Sequence, residues 1–82
     1  MKKYEVIVKT WFDETFGNTY HSVLIIEIET NKEVGYREFE YGYGTQYEQT
    51  AAEMLGLSVL ETRKLSRFDV TEVCKKYQMK HR

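Results

Sequence analysis

The chain has 82 residues and a net charge of −1, with 12 lysines and arginines against 13 aspartates and glutamates. That length suffices for one domain with a small core, which buries about 60 to 65% of the surface exposed by the unfolded chain. A single cysteine, Cys74, excludes an internal disulfide, and the two histidines, His21 and His81, are too few and too far apart for a zinc site. The longest apolar run, 23–26, is too short to span a membrane, so we predict a soluble protein. The single cysteine favours a reducing, cytoplasmic setting, and no motif indicates a cofactor.

Charge is divided unevenly along the chain. Residues 1–62 carry 5 lysines and arginines against 11 acids, whereas residues 63–82 carry 7 against 2. The molecule is therefore expected to be dipolar, with an acidic body and a basic C-terminal segment. Four cations of that segment are the candidate nucleic-acid contacts: Lys75, Lys76, Lys80 and Arg82.

Three strands are predicted in succession. Residues 4–12 alternate polar and apolar side chains and are rich in β-formers. Residues 20–30 continue as a β-branched run that is apolar on both faces near its middle, and a short turn leads into residues 34–41. This order predicts an antiparallel meander with the second strand at its centre.

The register of the meander is predicted from the pairing that best separates apolar from polar side chains, because a slip of one residue exchanges the faces. Pairing Val8 with Leu24, and Leu24 with Phe39, predicts one core face. Its members are Tyr4, Val6, Val8, Phe12, Tyr20, Leu24, Ile26, Ile28, Phe39 and Tyr41. On the other side the same register predicts an apolar patch within a ring of acids, named the predicted contact face: Ile7, Trp11, His21, Val23, Ile25 and Tyr36.

The second half of the chain predicts a helix over residues 46–55. Thr45 and Glu48 have the spacing of a capping box, and Gly56 is a typical left-handed helix stop. Residues 58–61 resemble a second capping box for a short helix, while residues 67–74 alternate like a fourth strand, an interpretation preferred to a helix. The predicted fold class is α+β, an antiparallel three- to four-stranded meander sheet with one main helix packed on one face.

No catalytic or metal-binding residues are predicted. His21 and Ser22 point to opposite faces of an extended strand, so they do not form a nucleophile and base pair, and His21 is expected to pack against Trp11 across the strands. Asp13, Glu14 and Asn18 offer too few oxygen ligands for calcium. A small metal-dependent enzyme is therefore the most remote of the alternatives.

Several short segments resemble a pattern in small uncharacterised proteins of bacterial and archaeal viruses. They are Trp11-Phe12-Asp13, Gly17-Asn18-Thr19-Tyr20-His21-Ser22-Val23, Tyr41-Gly42-Tyr43-Gly44, Gln46-Tyr47 and Gln49-Thr50-Ala51. The similarity covers the first two thirds of the chain. It implies a virus-encoded accessory protein that binds host or viral macromolecules, and it transfers no functional residue.

The leading functional hypothesis is a non-enzymatic binding module that uses the predicted contact face for a protein partner or for a second copy of itself. The alternative is a nucleic-acid-binding protein that uses the basic C-terminal segment.

The alternative predicts a salt-dependent affinity for duplex DNA. With three or four phosphate contacts, log affinity should fall against log salt with a slope of roughly −3 to −4. Truncation after Cys74 should abolish binding in a fluorescence anisotropy titration. Equal binding by the truncated and full chains would mean that the basic segment is not the binding site.

Overall fold

The computed structural model describes residues 2–13, 17–42 and 44–73. These residues form four strands and two helices. In chain order they are β1 (Tyr4–Asp13), β2 (Asn18–Glu27), β3 (Lys32–Tyr41), α1 (Gln46–Leu55), α2 (Val59–Leu65) and β4 (Ser66–Glu72). The fold class is α+β, as predicted, and the main helix has the predicted bounds.

The four strands form one sheet in the order β3-β2-β1-β4. The first three make the predicted antiparallel meander, but β4 pairs with β1 in parallel, so the prediction of a wholly antiparallel sheet is wrong. The reason lies in the connection. After β3 the chain crosses the sheet through α1 and α2 and reaches the far edge running in the direction of β1, as a parallel neighbour requires.

The predicted register of the meander is also wrong. Val8 lies opposite Val23, one residue from the predicted Leu24, and Leu24 lies opposite Ile7 on one side and Tyr36 on the other. Two irregularities between β2 and β3 displace the pairing further, each at a point where one strand has additional residues. Because residues 23–26 are all apolar, alternation alone does not distinguish the two registers.

The hydrophobic core lies between the sheet and α1. Its fully buried members are Val6, Val8, Val23, Ile25 and Ala51, and the partly buried side chains packed around them are Tyr4, Tyr47, Met54, Leu55 and Phe68. Small residues on the helix, Ala51 and Ala52, let its backbone approach the sheet closely. We call the side of the sheet beneath α1 the covered face.

The ends of α1 differ in how they are capped. Thr45 makes no side-chain capping bond, and the Glu48 carboxylate instead accepts bonds from Arg63 of α2, at 2.7 Å to Nη2, so the predicted Thr45 capping box is wrong. At the other end Gly56 has φ 71°, and the Leu57 N–H donates to the Ala52 carbonyl at 3.0 Å. This confirms the predicted left-handed stop.

A second helix follows at once because the Ser58 capping box forms. The Glu61 N–H donates to Ser58 Oγ at 3.1 Å, and the Ser58 N–H donates to Glu61 Oε1 at 3.2 Å. The chain then passes directly from Leu65 into β4. The structure therefore contains both the short helix indicated by residues 58–61 and the predicted fourth strand. The sheet is accompanied by two helices rather than by one main helix.

The corrected register reverses which of two adjacent residues, Leu24 or Ile25, should be more important for stability. Ile25 is 0% exposed beneath α1, so Ile25→Ala should lower the free energy of unfolding by about 2 to 5 kcal/mol. Leu24 is only half-buried, so Leu24→Ala should lower it by about 1 to 2 kcal/mol. Urea unfolding followed by circular dichroism measures both values. A greater loss for Leu24→Ala would contradict this register.

Candidate functional site: the open face of the sheet

The six residues of the predicted contact face lie on different sides of the sheet. Ile7, Trp11 and Tyr36 share the side away from α1, which we call the open face. The other three, His21, Val23 and Ile25, lie on the covered face and are buried. The shift of one residue between β1 and β2 accounts for this division, because it exchanges the two sides of β2 relative to β1.

The open face has apolar side chains from three strands. Its members are Ile7, Trp11, Tyr20, Leu24, Ile26, Tyr36, Phe39 and Tyr41. Five of them, Tyr20, Leu24, Ile26, Phe39 and Tyr41, were predicted to lie in the core. The exposed fractions are 56% for Tyr36, 44% for Phe39 and 54% for Tyr41, so no described residue shields this row from solvent.

Aromatic rings cluster at one end of the open face. Tyr20 stacks on Phe39 with ring centroids 4.6 Å apart, and Trp11 lies 6.2 Å from Tyr20 and 6.1 Å from Phe39. Tyr41 meets Tyr20 edge to face at 5.9 Å. Such ring pairs add about 0.5 to 1.5 kcal/mol each beyond their burial, so the cluster is held rigidly without a helix above it. The sequence signal for it was the preference of aromatic residues for cross-strand pairs, which favours Trp11 opposite Tyr20.

The indole of Trp11 is buried under its aromatic neighbours. Its Nε1–H has no hydrogen-bond partner among the described residues. A buried donor left unpaired costs the folded chain about 1 to 3 kcal/mol.

Charges beside Ile7 on the open face are balanced, although the same face also holds Asp13 and Glu33. Next to Ile7, β1 and β4 place Glu5 opposite Arg67, and Arg67 Nη2 lies 3.3 Å from Glu5 Oε2. Lys9 and Asp69 on the same side have opposite signs. These pairs leave little net charge beside Ile7, so that part of the face neither attracts nor repels a phosphate backbone strongly.

His21 connects the covered face to α1. Its Nε2 lies 2.8 Å from Thr50 Oγ1, a hydrogen bond between two buried side chains. This bond takes the place of the predicted packing against Trp11, which lies on the opposite side. Gly42 leaves room for the first residue of α1, because a Cβ at that position would overlap the side chain of Gln46, whereas its distance of 3.4 Å from His21 Cε1 would be an ordinary contact.

The surroundings of His21 favour its neutral form. Burial lowers the pKa of His21 below the ordinary value of 6.5, and the negative charge of Glu40 opposes this only in part. Ser22 projects from the other side of β2, as alternation predicts, so the two residues are not a catalytic pair. The role of His21 that follows from these contacts is to hold α1 on the sheet.

The lowered pKa of His21 predicts a pH-dependent stability. The folded state takes up a proton less readily than the unfolded state, so the contribution of His21 is complete above pH 6.5 and is lost as the pH falls from 6.5 towards the folded pKa. The loss should reach at most about 1.4 kcal/mol per pH unit. Urea midpoints at about pH 7.5 and 5.5 should differ less in His21→Gln than in the wild type. If His81→Gln reduced the difference between the two urea midpoints as much as His21→Gln does, His21 would not be the group responsible for the pH dependence.

The described residues contain no cluster of three or more histidine, cysteine or acidic side chains that could hold a metal ion. Within the same ranges no helix is long and apolar enough to cross a bilayer. The candidate nucleic-acid contacts Lys75, Lys76, Lys80 and Arg82 lie outside the described residues. Comparison of the chain with protein family models, with curated proteins and with solved structures finds no match.

Proposed function

We propose that the chain is a non-enzymatic protein-binding module whose contact surface is the open face, and that a second copy of the chain is its first partner. The observation that supports this most directly is the row of exposed aromatic rings on β3. Aromatic residues are enriched in protein interfaces because they bury a large area and lose little conformational freedom.

The size of the open face indicates the kind of complex. Three strands of ten residues and one of seven, each rising about 3.3 Å per residue and spaced about 4.8 Å apart, present a planar area of roughly 590 Å². A standard interface buries about 800 Å² on each partner, so contacts through the open face alone fall in the size class of weak, transient complexes. A homodimer of this type should therefore dissociate on dilution.

The charge balance beside Ile7 on the open face supports a second copy as the partner. When a surface meets itself, a strongly acidic or basic patch would oppose an identical patch. Here the Glu5 carboxylate is already neutralised by Arg67 at 3.3 Å, and the exposed aromatic rings of the face lie on the edge strand β3. The sequence resemblance to viral proteins concerns the origin of the chain, which stays a proposal. It adds no residue to the open face.

Substitution of Tyr36 tests the proposed surface. A carboxylate at this exposed position would have to be buried without a partner in the dimer, so Tyr36→Glu should weaken self-association by at least about tenfold. Leu60→Glu is the matched control, because Leu60 is equally exposed but belongs to α2 rather than to the sheet. Sedimentation equilibrium over a hundredfold range of concentration measures the dissociation constants, and circular dichroism verifies that both variants fold.

Two results would contradict the proposal. A wild-type protein that stays monomeric at every concentration would show that the open face does not bind a second copy. Equal weakening by Tyr36→Glu and Leu60→Glu would show that self-association uses a different surface.

A further inference from the structure

A groove of about 340 Å³ lies at the end of the sheet where β1 begins and where α2 passes into β4. Three apolar side chains line it: Tyr4, Ile28 and Leu65. Tyr4 and Leu65 are half-buried, and Ile28 is 47% exposed. The Ile28 N–H donates to the Lys3 carbonyl at 3.0 Å, so backbone hydrogen bonding holds the residues on two sides of the groove together. The groove therefore has a fixed, largely apolar lining.

Two lysines border this apolar lining, Lys3 at the start of β1 and Lys64 near the end of α2. Both are exposed, and neither makes an ion pair with a described residue. The neighbouring cations differ in this respect, since Lys2 pairs with Glu27 at 3.8 Å and Arg67 pairs with Glu5 at 3.3 Å. Among the described residues, the positive charge beside the groove is thus left uncompensated, and it would attract an anion.

Ser66 adds a polar group to the same groove. Its Oγ is buried and has no hydrogen-bond partner among the described residues. The hydroxyl is therefore enclosed in the wall of the groove and is not an exposed donor. The positive charge and the apolar lining are two separate observations, and together they favour a ligand with an anionic group and an apolar chain.

We propose that this groove binds a small amphiphilic carboxylate, with the carboxylate near Lys3 and Lys64 and an apolar chain over Tyr4, Ile28 and Leu65. The volume lies at the lower end of the range of about 300 to 1,000 Å³ found for small-molecule sites, which suits a single short chain. This site is independent of the open face and of the proposed self-association.

The test uses decanoate as the probe, below the concentration at which it forms micelles. In ¹H–¹⁵N correlation spectra of the full chain, decanoate should cause saturable shifts confined to the backbone amides around residues 3–4, 28 and 64–67. Decanol has the same chain without the charge and should bind at least about fivefold more weakly. Affinity should rise about two- to fourfold per methylene from hexanoate to decanoate, because each added group is partly removed from water.

Charge reversal distinguishes a specific site from general attraction. Lys64→Glu and Lys3→Glu should each weaken decanoate binding by about fivefold or more. Lys9→Glu makes the same change of charge on the open face and should leave the affinity within about twofold. Ile28→Ser should reduce the gain in affinity per methylene of the ligand, because it removes apolar surface from the groove. The fold should stay intact, because Ile28 is already half exposed.

Three outcomes would overturn the proposal. Decanol shifts of equal affinity would show that the lysines do not recognise the anion. Equal effects of Lys9→Glu and Lys64→Glu would show non-specific charge attraction. Shifts spread over Tyr36 and the other open-face residues would place the apolar ligand there instead.

Discussion

The register between β1 and β2 determines which side chains meet α1, and the rest of the molecule follows from it. With Val6 opposite Ile25 and Val8 opposite Val23, four β-branched side chains form one compact row, and Ala51 packs onto them. The same register places Trp11 opposite Tyr20 on the other side. Core and open face are therefore two results of one pairing, and displacement by one residue would exchange them.

The parts of this fold that were predictable from sequence are those encoded over short distances. The alternation in β1, the bounds of α1 and the Gly56 stop each depend on neighbours within a turn or a strand. The registers were not predictable, because Val23, Leu24, Ile25 and Ile26 are equally apolar and because only one of the two irregularities in β3 lies beside a glycine, Gly35, a residue that often marks a bulge. The parallel addition of β4 depends on the path of two helices across the sheet, which alternation in residues 67–74 does not reveal.

The candidate site was only half predictable for the same reason. The alternation of side chains indicated a second, partly apolar face opposite the core, but the assignment of β2 side chains to that face required the correct register. Ile7, Trp11 and Tyr36 were placed correctly because they lie on strands flanking β2, whereas His21, Val23 and Ile25 exchanged sides with Tyr20, Leu24 and Ile26.

The pairing of β1 with β4 also determines when each edge of β1 can find its partner during synthesis. The strand nearest the start of the chain has one neighbour, β2, as soon as the meander is made, but its other edge waits for residues 66–72, which are translated much later. During that interval the amides and carbonyls along this edge, from Tyr4 to Thr10, have no strand to pair with. An unpaired edge is a template for another chain, so a nascent molecule passes through a stage in which β1 can be captured by a neighbour or by a chaperone. Once β4 has formed, it pairs with this edge of β1 and prevents such capture.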